Sequence, residues 1–329
     1  MKIYRDIEDF KNVDYPVVTI GSFDGVHCGH KKIINRLTKI AKEKKGETVL
    51  IIFSPHPRIV LYPEEKNLKL INTIEEKIKI LQKLNIDHLI ILPFTKNFSR
   101  ISPTEFVKNF LVEKIHTKRL ITGYNHSFGN NREGDIKCLE KLSNTYGFEV
   151  EEIPTQVIKN VSISSTKIRN ALYNGDIKKA NSFLGYKYFM SGKVVSGNRI
   201  GRTINVPTAN IIIEDEYKLI PAKGVYAVEV LWKEKKYNGM INIGTKPTLN
   251  SKNKQKNIDF VNNKKVTIEV NIFDFEEDIY QDYLTIYFID KIRDEKKFKD
   301  LNSLKRQLMI DKKNSLEILR VCEKITYSF

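Results

Sequence analysis

The chain of 329 residues, 41% apolar and 10% aromatic, can bury two separate cores, which excludes a disordered or fibrous protein. Its 56 Lys and Arg against 40 Asp and Glu leave a formal charge of +16, but the excess is spread along the chain beside abundant Asn and Ile, which argues against a dedicated nucleic-acid surface. Cys28, Cys138 and Cys322 lie far apart, so neither a zinc site nor a disulfide framework is expected; the charged opening segment, and no later apolar run of membrane length, point to a cytoplasmic protein with no membrane partner.

From the start to about residue 185, short β-branched runs alternate with helical patterns, the signature of an α/β domain with a parallel sheet. Strands are predicted at Val17–Ile20, Thr48–Phe53, His88–Leu92, Arg119–Thr122 and Glu149–Ile153, mostly continuous apolar runs of the kind covered on both faces. Ile33, Ile34, Leu37, Ile40 and Ala41 recur at helical spacing, and Thr73 with Glu76 and Ser102 with Glu105 form capping boxes. After Leu184 the pattern turns all-β, with strands predicted at Met190–Val195, Asn210–Ile213, Val225–Trp232, Tyr237–Ile243, Val266–Phe273 and Leu284–Phe288. Six short strands suggest a small barrel, and Phe298, Leu301, Leu304 and Leu308 predict a helix from Lys296 to about Met309 packed against it. The boundary is placed at Gly185, giving domains 1–185 and 186–329, and the Asn- and Lys-rich segment Asn250–Asn263 is expected to be a mobile surface loop.

The segment from Gly21 to His30 leaves a predicted buried strand, turns through Gly21, Gly25 and Gly29, and enters the next helix. A glycine turn there aims backbone N–H groups and a helix N-terminus at one point, where phosphate is favoured. His27 and His30, three apart, can donate hydrogen bonds to phosphate oxygens as charge builds during displacement of pyrophosphate. Either histidine alone reads as a satisfied structural residue. Together with three glycines, which cost conformational entropy at a helix start, they read as a phosphate site. The run is neither a Walker A loop nor the dinucleotide fingerprint.

This run is similar to the H-x-G-H signature of the nucleotidyltransferase superfamily, whose members join an NTP α-phosphate to an acceptor phosphate. Phe53-Ser54-Pro55-His56-Pro57, then Gly123-Tyr124-Asn125-His126-Ser127-Phe128-Gly129 with Arg132 and Gly134, then Ile163-Ser164-Ser165-Thr166-Lys167-Ile168-Arg169 follow in order. Together they resemble the bacterial bifunctional riboflavin kinase/FMN adenylyltransferase (FAD synthetase) family. The resemblance implies a Rossmann-like nucleotidyltransferase sheet in which His27 and His30 are catalytic. It also implies that Gly21, Phe23, Asp24, Gly29, Asn125, Ser164, Ser165, Thr166 and Arg169 bind ATP and its phosphates. A Ser-Ser-Thr cluster before an apolar helix also arises from capping alone.

In the β domain, a strand and glycine turn over Gly192–Gly201 lead into Arg202-Thr203-Ile204-Asn205-Val206-Pro207-Thr208-Ala209-Asn210. Thr208 and Asn210 alternate along an extended segment, so both oxygens can flank one Mg²⁺. The segment resembles the P-T-A-N motif of riboflavin kinases. That resemblance implies Thr208 and Asn210 at the metal, Gly201 and Arg202 at the nucleotide, Glu269 as the base for the flavin hydroxyl, and Gly244, Arg293 and Glu295 at the flavin. Glu269 sits in an otherwise apolar strand, where burial would raise its pKa toward the range of a general base. Alternation alone equally permits a solvent-facing Glu. The chain departs from the family pattern at Asn205 and Val206, where Gly-Phe is usual, at Asn271, often His, at Ser162, often basic, and at Ser54, often Asp.

The implied function is flavin-cofactor biosynthesis in two steps. Mg·ATP phosphorylates the ribityl hydroxyl of riboflavin in the C-terminal domain, and the FMN phosphate then attacks the α-phosphorus of a second ATP in the N-terminal domain, giving FAD and pyrophosphate without a covalent enzyme intermediate. The partners are ATP, riboflavin, FMN and FAD, with the chain a monomer or weak oligomer. One alternative is a different nucleotidyltransferase whose β domain only binds; another is a basic nucleic-acid or flavin-binding module without catalysis. Thr208 paired with Asn210, together with Glu269, His27 and His30, disfavours both.

Overall fold

The computed structural model describes every residue except 66, 125–127, 131–132, 155–162, 198–205, 246–259, 262–263 and 324–329. By contacts the chain divides into a first unit, Met1–Lys69 with Ile74–Ser164, and a second, Leu70–Thr73 with Ser165–Phe329.

The first unit runs β1 (Lys2–Tyr4), β2 (Val17–Ile20), α1 (Cys28–Lys44), β3 (Thr48–Ser54), α2 (Pro57–Leu61), α3 (Ile74–Leu81), β4 (His88–Pro93), α4 (Pro103–Phe106), β5 (Arg119–Gly123), α5 (Ile136–Tyr146) and β6 (Glu149–Ile153). All six strands are parallel, in the order β1-β4-β3-β2-β5-β6. The five predicted strands are present, and β1 is an addition at the sheet edge. Strand β2 is buried throughout. Val18 and Ile20 join a core on one face with Phe106, Leu111, Leu139 and Leu142. Val17 joins another core with Leu37, Ile40 and Ala41 of α1. Double coverage explains why the strand lacks polar alternation. Helix α1 ends at Lys45, in the left-handed region at φ 53°. The next residue must be glycine, because a Cβ at Gly46 would lie 2.3 Å from the Tyr15 carbonyl oxygen. Ser102 and Glu105 form the expected capping box at α4.

The second unit continues with α6 (Ser165–Tyr173), α7 (Ile177–Leu184), β7 (Phe189–Val195), β8 (Ala209–Ile212), β9 (Gly224–Trp232), β10 (Lys235–Thr245), β11 (Phe260–Val261), β12 (Lys264–Ile272), β13 (Tyr283–Arg293) and α8 (Leu301–Glu323). The six predicted strands form an antiparallel ring, β10-β9-β13-β7-β8-β12, closed by pairing of β12 with β10. Strand β11 pairs with β12; it falls within the segment expected as a loop, whose remaining residues lie outside the described ones. The C-terminal helix starts later and runs further than predicted. Asp300 accepts from the Ser303 N–H at 2.7 Å and so caps it, while Leu316 and Leu319 extend its apolar stripe over Ala227 and Met240.

By contacts, α6 and α7 group with the barrel although the sequence boundary was set at Gly185. Asn181 on α7 donates to the Phe288 carbonyl at 2.9 Å and accepts from Tyr188 N–H at 2.7 Å. The short segment Leu70–Thr73 belongs to this unit too. Its tie is Lys218, 1% exposed, whose ammonium donates to the carbonyls of Ile71 at 2.7 Å and Phe189 at 2.8 Å and lies 4.6 Å from the Tyr188 ring centre. Lys218→Met removes the donor from both buried carbonyls and lowers the stability of this unit by about 2–5 kcal/mol. Urea unfolding followed by Trp232 fluorescence measures it, and an unchanged midpoint contradicts the assignment.

Candidate active sites

Strand β2 delivers the first site. Its neighbours β3 and β5 lie on opposite sides, so its carboxyl end opens at the point where the strand order reverses, the usual crevice for a nucleotide. The turn that follows is strained: Phe23, Gly25 and Val26 take φ of 45°, 86° and 36°. For the two non-glycine residues this costs about 1–3 kcal/mol each. Gly21 and Gly29 flank the turn, and a Cβ at Gly21 would press on the Phe23 ring at 3.1 Å.

His27 caps α1, its Nδ1 accepting from the His30 N–H at 3.3 Å. The His30 ring stacks on it, centres 3.7 Å apart at 12°, and meets Phe23 at 4.9 Å. Burial lowers the His27 pKa to about 4, an effect opposed by Asp24 and by a backbone hydrogen bond. Burial likewise holds His30 well below the usual range, with His27 and Lys77 adding to the effect. Both imidazoles are therefore neutral at pH 7. With Nδ1 used as an acceptor, His27 carries its proton on Nε2, which is a donor suited to a phosphate oxygen. The His30 Nδ1 is buried and, among the described residues, has no partner. Asp24 is 2% exposed at the same turn.

Of the remaining residues predicted for this site, Ser165 and Thr166 open α6 and Arg169 lies one turn on, half-buried. Ser164, exposed, precedes the helix. By contacts Ser164 belongs to the first unit and the other three to the second. Asn125 lies outside the described residues.

In the barrel, register assembles the second site. Asn210 on β8 pairs directly with Glu269 on β12, and Glu269 pairs with Asn242 on β10. Directly opposed residues share a face, with Cβ atoms about 5 Å apart. Among the described residues none of these three side chains has a hydrogen-bond partner. Nothing in the sequence links Asn242 to Glu269; only register places the two side by side. Glu269 is half-buried, between buried Ile268 and Val270 on the opposite face. Its exposure lies between the buried and the solvent-facing carboxylate that alternation left open.

Thr208 and Asn210 line a cavity of about 340 Å³ with Val194, Ile272, Phe275 and Tyr280. A Cβ at Gly197 would lie 2.0 Å from Asn210 Nδ2, so only glycine there leaves room for the amide. Two of the departures have visible partners. Asn271 donates to the Pro207 carbonyl at 2.6 Å, steadying the segment that carries Thr208, and Val206 packs in the core under α8. The oxygens of Thr208 and Asn210 suit a hard cation such as Mg²⁺, which takes one or two protein ligands and completes its shell with water and phosphate. Among the described residues no group of three or more His, Cys, Asp or Glu is placed to hold a metal.

The structure also joins Gly244 to Glu295: Thr245 N–H donates to Glu295 Oε1 at 3.2 Å, and a Cβ at Gly244 would stand 2.4 Å from that oxygen. Arg293 is committed elsewhere. Its Nε and Nη2 donate to Asp311 on α8 at 3.0 and 2.7 Å, and Asp311 is fully buried. Gly201 and Arg202 lie outside the described residues.

A family model described as FAD synthetase matches residues 10–167, and one described as riboflavin kinase matches residues 184–319. The bifunctional riboflavin kinase/FMN adenylyltransferase of Buchnera aphidicola subsp. Acyrthosiphon pisum is 37% identical over 313 residues, 94% of this chain and 96% of its own. That of Escherichia coli K12 is 33% identical over 320 residues, 96% and 97%. A solved structure named as a macrolide-efflux protein, from Streptococcus pneumoniae, superposes with a TM-score of 0.82 at 31% identity, covering 95% of this chain and 98% of its own. Efflux is said of that protein; here, among the described residues, no helix is long and apolar enough to cross a membrane.

The lowered His27 pKa has a sign. Its folded value of about 4 lies below the ordinary 6.5, so protonation favours the unfolded state. The His27 contribution to stability is complete above pH 6.5 and is lost as pH falls toward 4. NMR titration of His27, with melting temperature followed over the same range, tests this; a midpoint near 6.5 contradicts it.

Proposed function

Since the chain belongs to the bifunctional riboflavin kinase/FMN adenylyltransferase family, and so phosphorylates riboflavin to FMN and adenylylates FMN to FAD, we propose that the two residue sets above carry the two reactions. Residues 186–329 hold the kinase and residues 1–185 the adenylyltransferase. The observation that carries the kinase assignment is the pairing of Glu269 with Asn210.

In the kinase, the apolar wall of Val194, Ile272, Phe275 and Tyr280 takes the adenine, leaving the phosphates of ATP at Thr208 and Asn210. These two side chains hold Mg²⁺, with Gly201 and Arg202 beside the phosphates; when bound, the ion supplies charge neutralisation on the transferring phosphoryl group. Glu269 accepts the proton of the ribityl hydroxyl as its oxygen attacks the γ-phosphorus, and ADP leaves. Asn242 orients that hydroxyl, while Gly244 and Glu295 border the flavin. Arg293, held by Asp311, fixes α8 against the barrel at the flavin's edge.

In the adenylyltransferase, the FMN phosphate oxygen attacks the α-phosphorus of ATP, and pyrophosphate leaves with the bond's electron pair. His27 Nε2–H and the neutral His30 donate to the phosphate oxygens as charge develops, and the N-terminus of α1 adds its dipole. Asp24 shapes the turn. Asn125, Ser164, Ser165, Thr166 and Arg169 hold the triphosphate. We place the chain in the cytoplasm, as a monomer or weak oligomer that does not act on nucleic acid.

Incubation with riboflavin, Mg²⁺ and ATP tests the residue roles. His27→Ala accumulates FMN, its FAD formation falling by about 100-fold or more, and Glu269→Ala makes FAD only from supplied FMN, its kinase rate falling by a similar factor. FAD formation undiminished in either variant starting from riboflavin contradicts that residue's role.

A further inference from the structure

We infer that Lys77 is a positioning residue for adenylyl transfer, its buried ammonium fixing the strained turn that carries His27 and His30. The inference rests on the reading of that turn as the adenylyl-transfer site.

Lys77 lies on α3, outside every motif that the sequence offers, and is 5% exposed. Its Nζ donates to the Ser22 carbonyl at 2.6 Å. Among the described residues this is the ammonium's only hydrogen bond, although burial of a cation is costly unless it is well paired. Burial lowers its pKa, and the Asp24 carboxylate opposes that shift; its charge is also felt at His30. Lys77 is thus electrostatically coupled to two of the groups predicted for the site while bonded to the backbone between them and β2.

The place of the bond explains why such a residue is kept. The turn is tied at its start by Gly21 N–H to the Ile51 carbonyl at 3.1 Å, and within itself by Val26 N–H to the Phe23 carbonyl at 3.1 Å. Between these ties Phe23, Gly25 and Val26 all take positive φ, a conformation that persists only where the surroundings over-determine it. Ser22, at the head of that stretch, is held from α3 by Lys77. A stability role alone is a weak reason for a sparsely paired buried cation, whose desolvation a single hydrogen bond offsets only in part.

The test uses the full chain, with FAD formation from FMN and ATP, the kinase rate and the melting temperature measured together. Lys77→Met keeps the length and removes the donor. Its kcat for FAD formation, measured on the folded protein, falls by about 100-fold, the loss expected of a displacement near 1 Å, while the kinase rate holds and the melting temperature falls only by what one unpaired buried carbonyl costs. Lys77→Arg, which keeps a donor and the charge, recovers part of kcat. A folded Lys77→Met that forms FAD within about threefold of wild type overturns the inference, as does a loss that tracks the folded fraction and is no smaller in the Arg variant. Should Lys77→Met fail to fold, the wild-type side-chain ammonium resonance decides, identified by its loss in Lys77→Arg. It shifts when a non-hydrolysable ATP analogue binds if Lys77 serves the site, and stays fixed if it does not. His27→Ala separates the two readings. If it still makes FAD, the site reading fails; if it is inactive while Lys77→Met is active, only this inference fails.

Discussion

The parallel pairing of β2 with both β3 and β5 is the constraint on which the first site depends. It buries all four residues of the strand and leaves the chain one direction in which to leave the sheet, at the carboxyl end where the strand order reverses. The positive-φ turn, the stacked imidazoles and the start of α1 follow within ten residues. Burial then sets the chemistry: His27 and His30 are held neutral, and the use of His27 Nδ1 by a backbone N–H leaves Nε2–H as the donor. A rigid sheet with a tightly held turn supplies positioning and dipoles, which is most of what transfer between phosphates requires.

The barrel reaches its site by different means. Closure of β12 onto β10 brings Glu269 between Asn210 and Asn242, three polar side chains contributed by three strands at one level. Around them, other groups hold the frame. Asn271 holds the Pro207 carbonyl, Gly197 makes room for the Asn210 amide, and Arg293 ties α8 to the barrel through Asp311. The bidentate Arg293–Asp311 pair joins the end of β13 to α8, its fork matched to a carboxylate.

Continuous apolar runs made the central strands legible, and the glycine turn with its histidines stands out in the sequence as a candidate phosphate site. Three-residue β1 escaped because Lys2-Ile3-Tyr4 lies at an edge with two exposed side chains, too short for alternation to register. Lys77 escaped for a deeper reason. Helical spacing hands lysine to solvent, yet α3 buries Glu76 and Lys77 along with Ile78, Ile80 and Leu81. The alternation around Glu269 was readable, but its neighbours Asn210 and Asn242 are far away in sequence and meet it only through strand register. Nor could the sequence show that Arg293 would find Asp311, one of several acids near the C-terminal helix.

The central claim is that separate residue sets carry the two reactions, linked by FMN. Mixing purified His27→Ala and Glu269→Ala proteins with riboflavin, Mg²⁺ and ATP tests it most directly, because FMN released by the first is the substrate of the second. The account predicts that either protein alone converts riboflavin to FAD at no more than about a hundredth of the wild-type rate and that the mixture restores conversion. A mixture of folded variants that forms no FAD, or a single variant that forms it as wild type does, would contradict the division of labour.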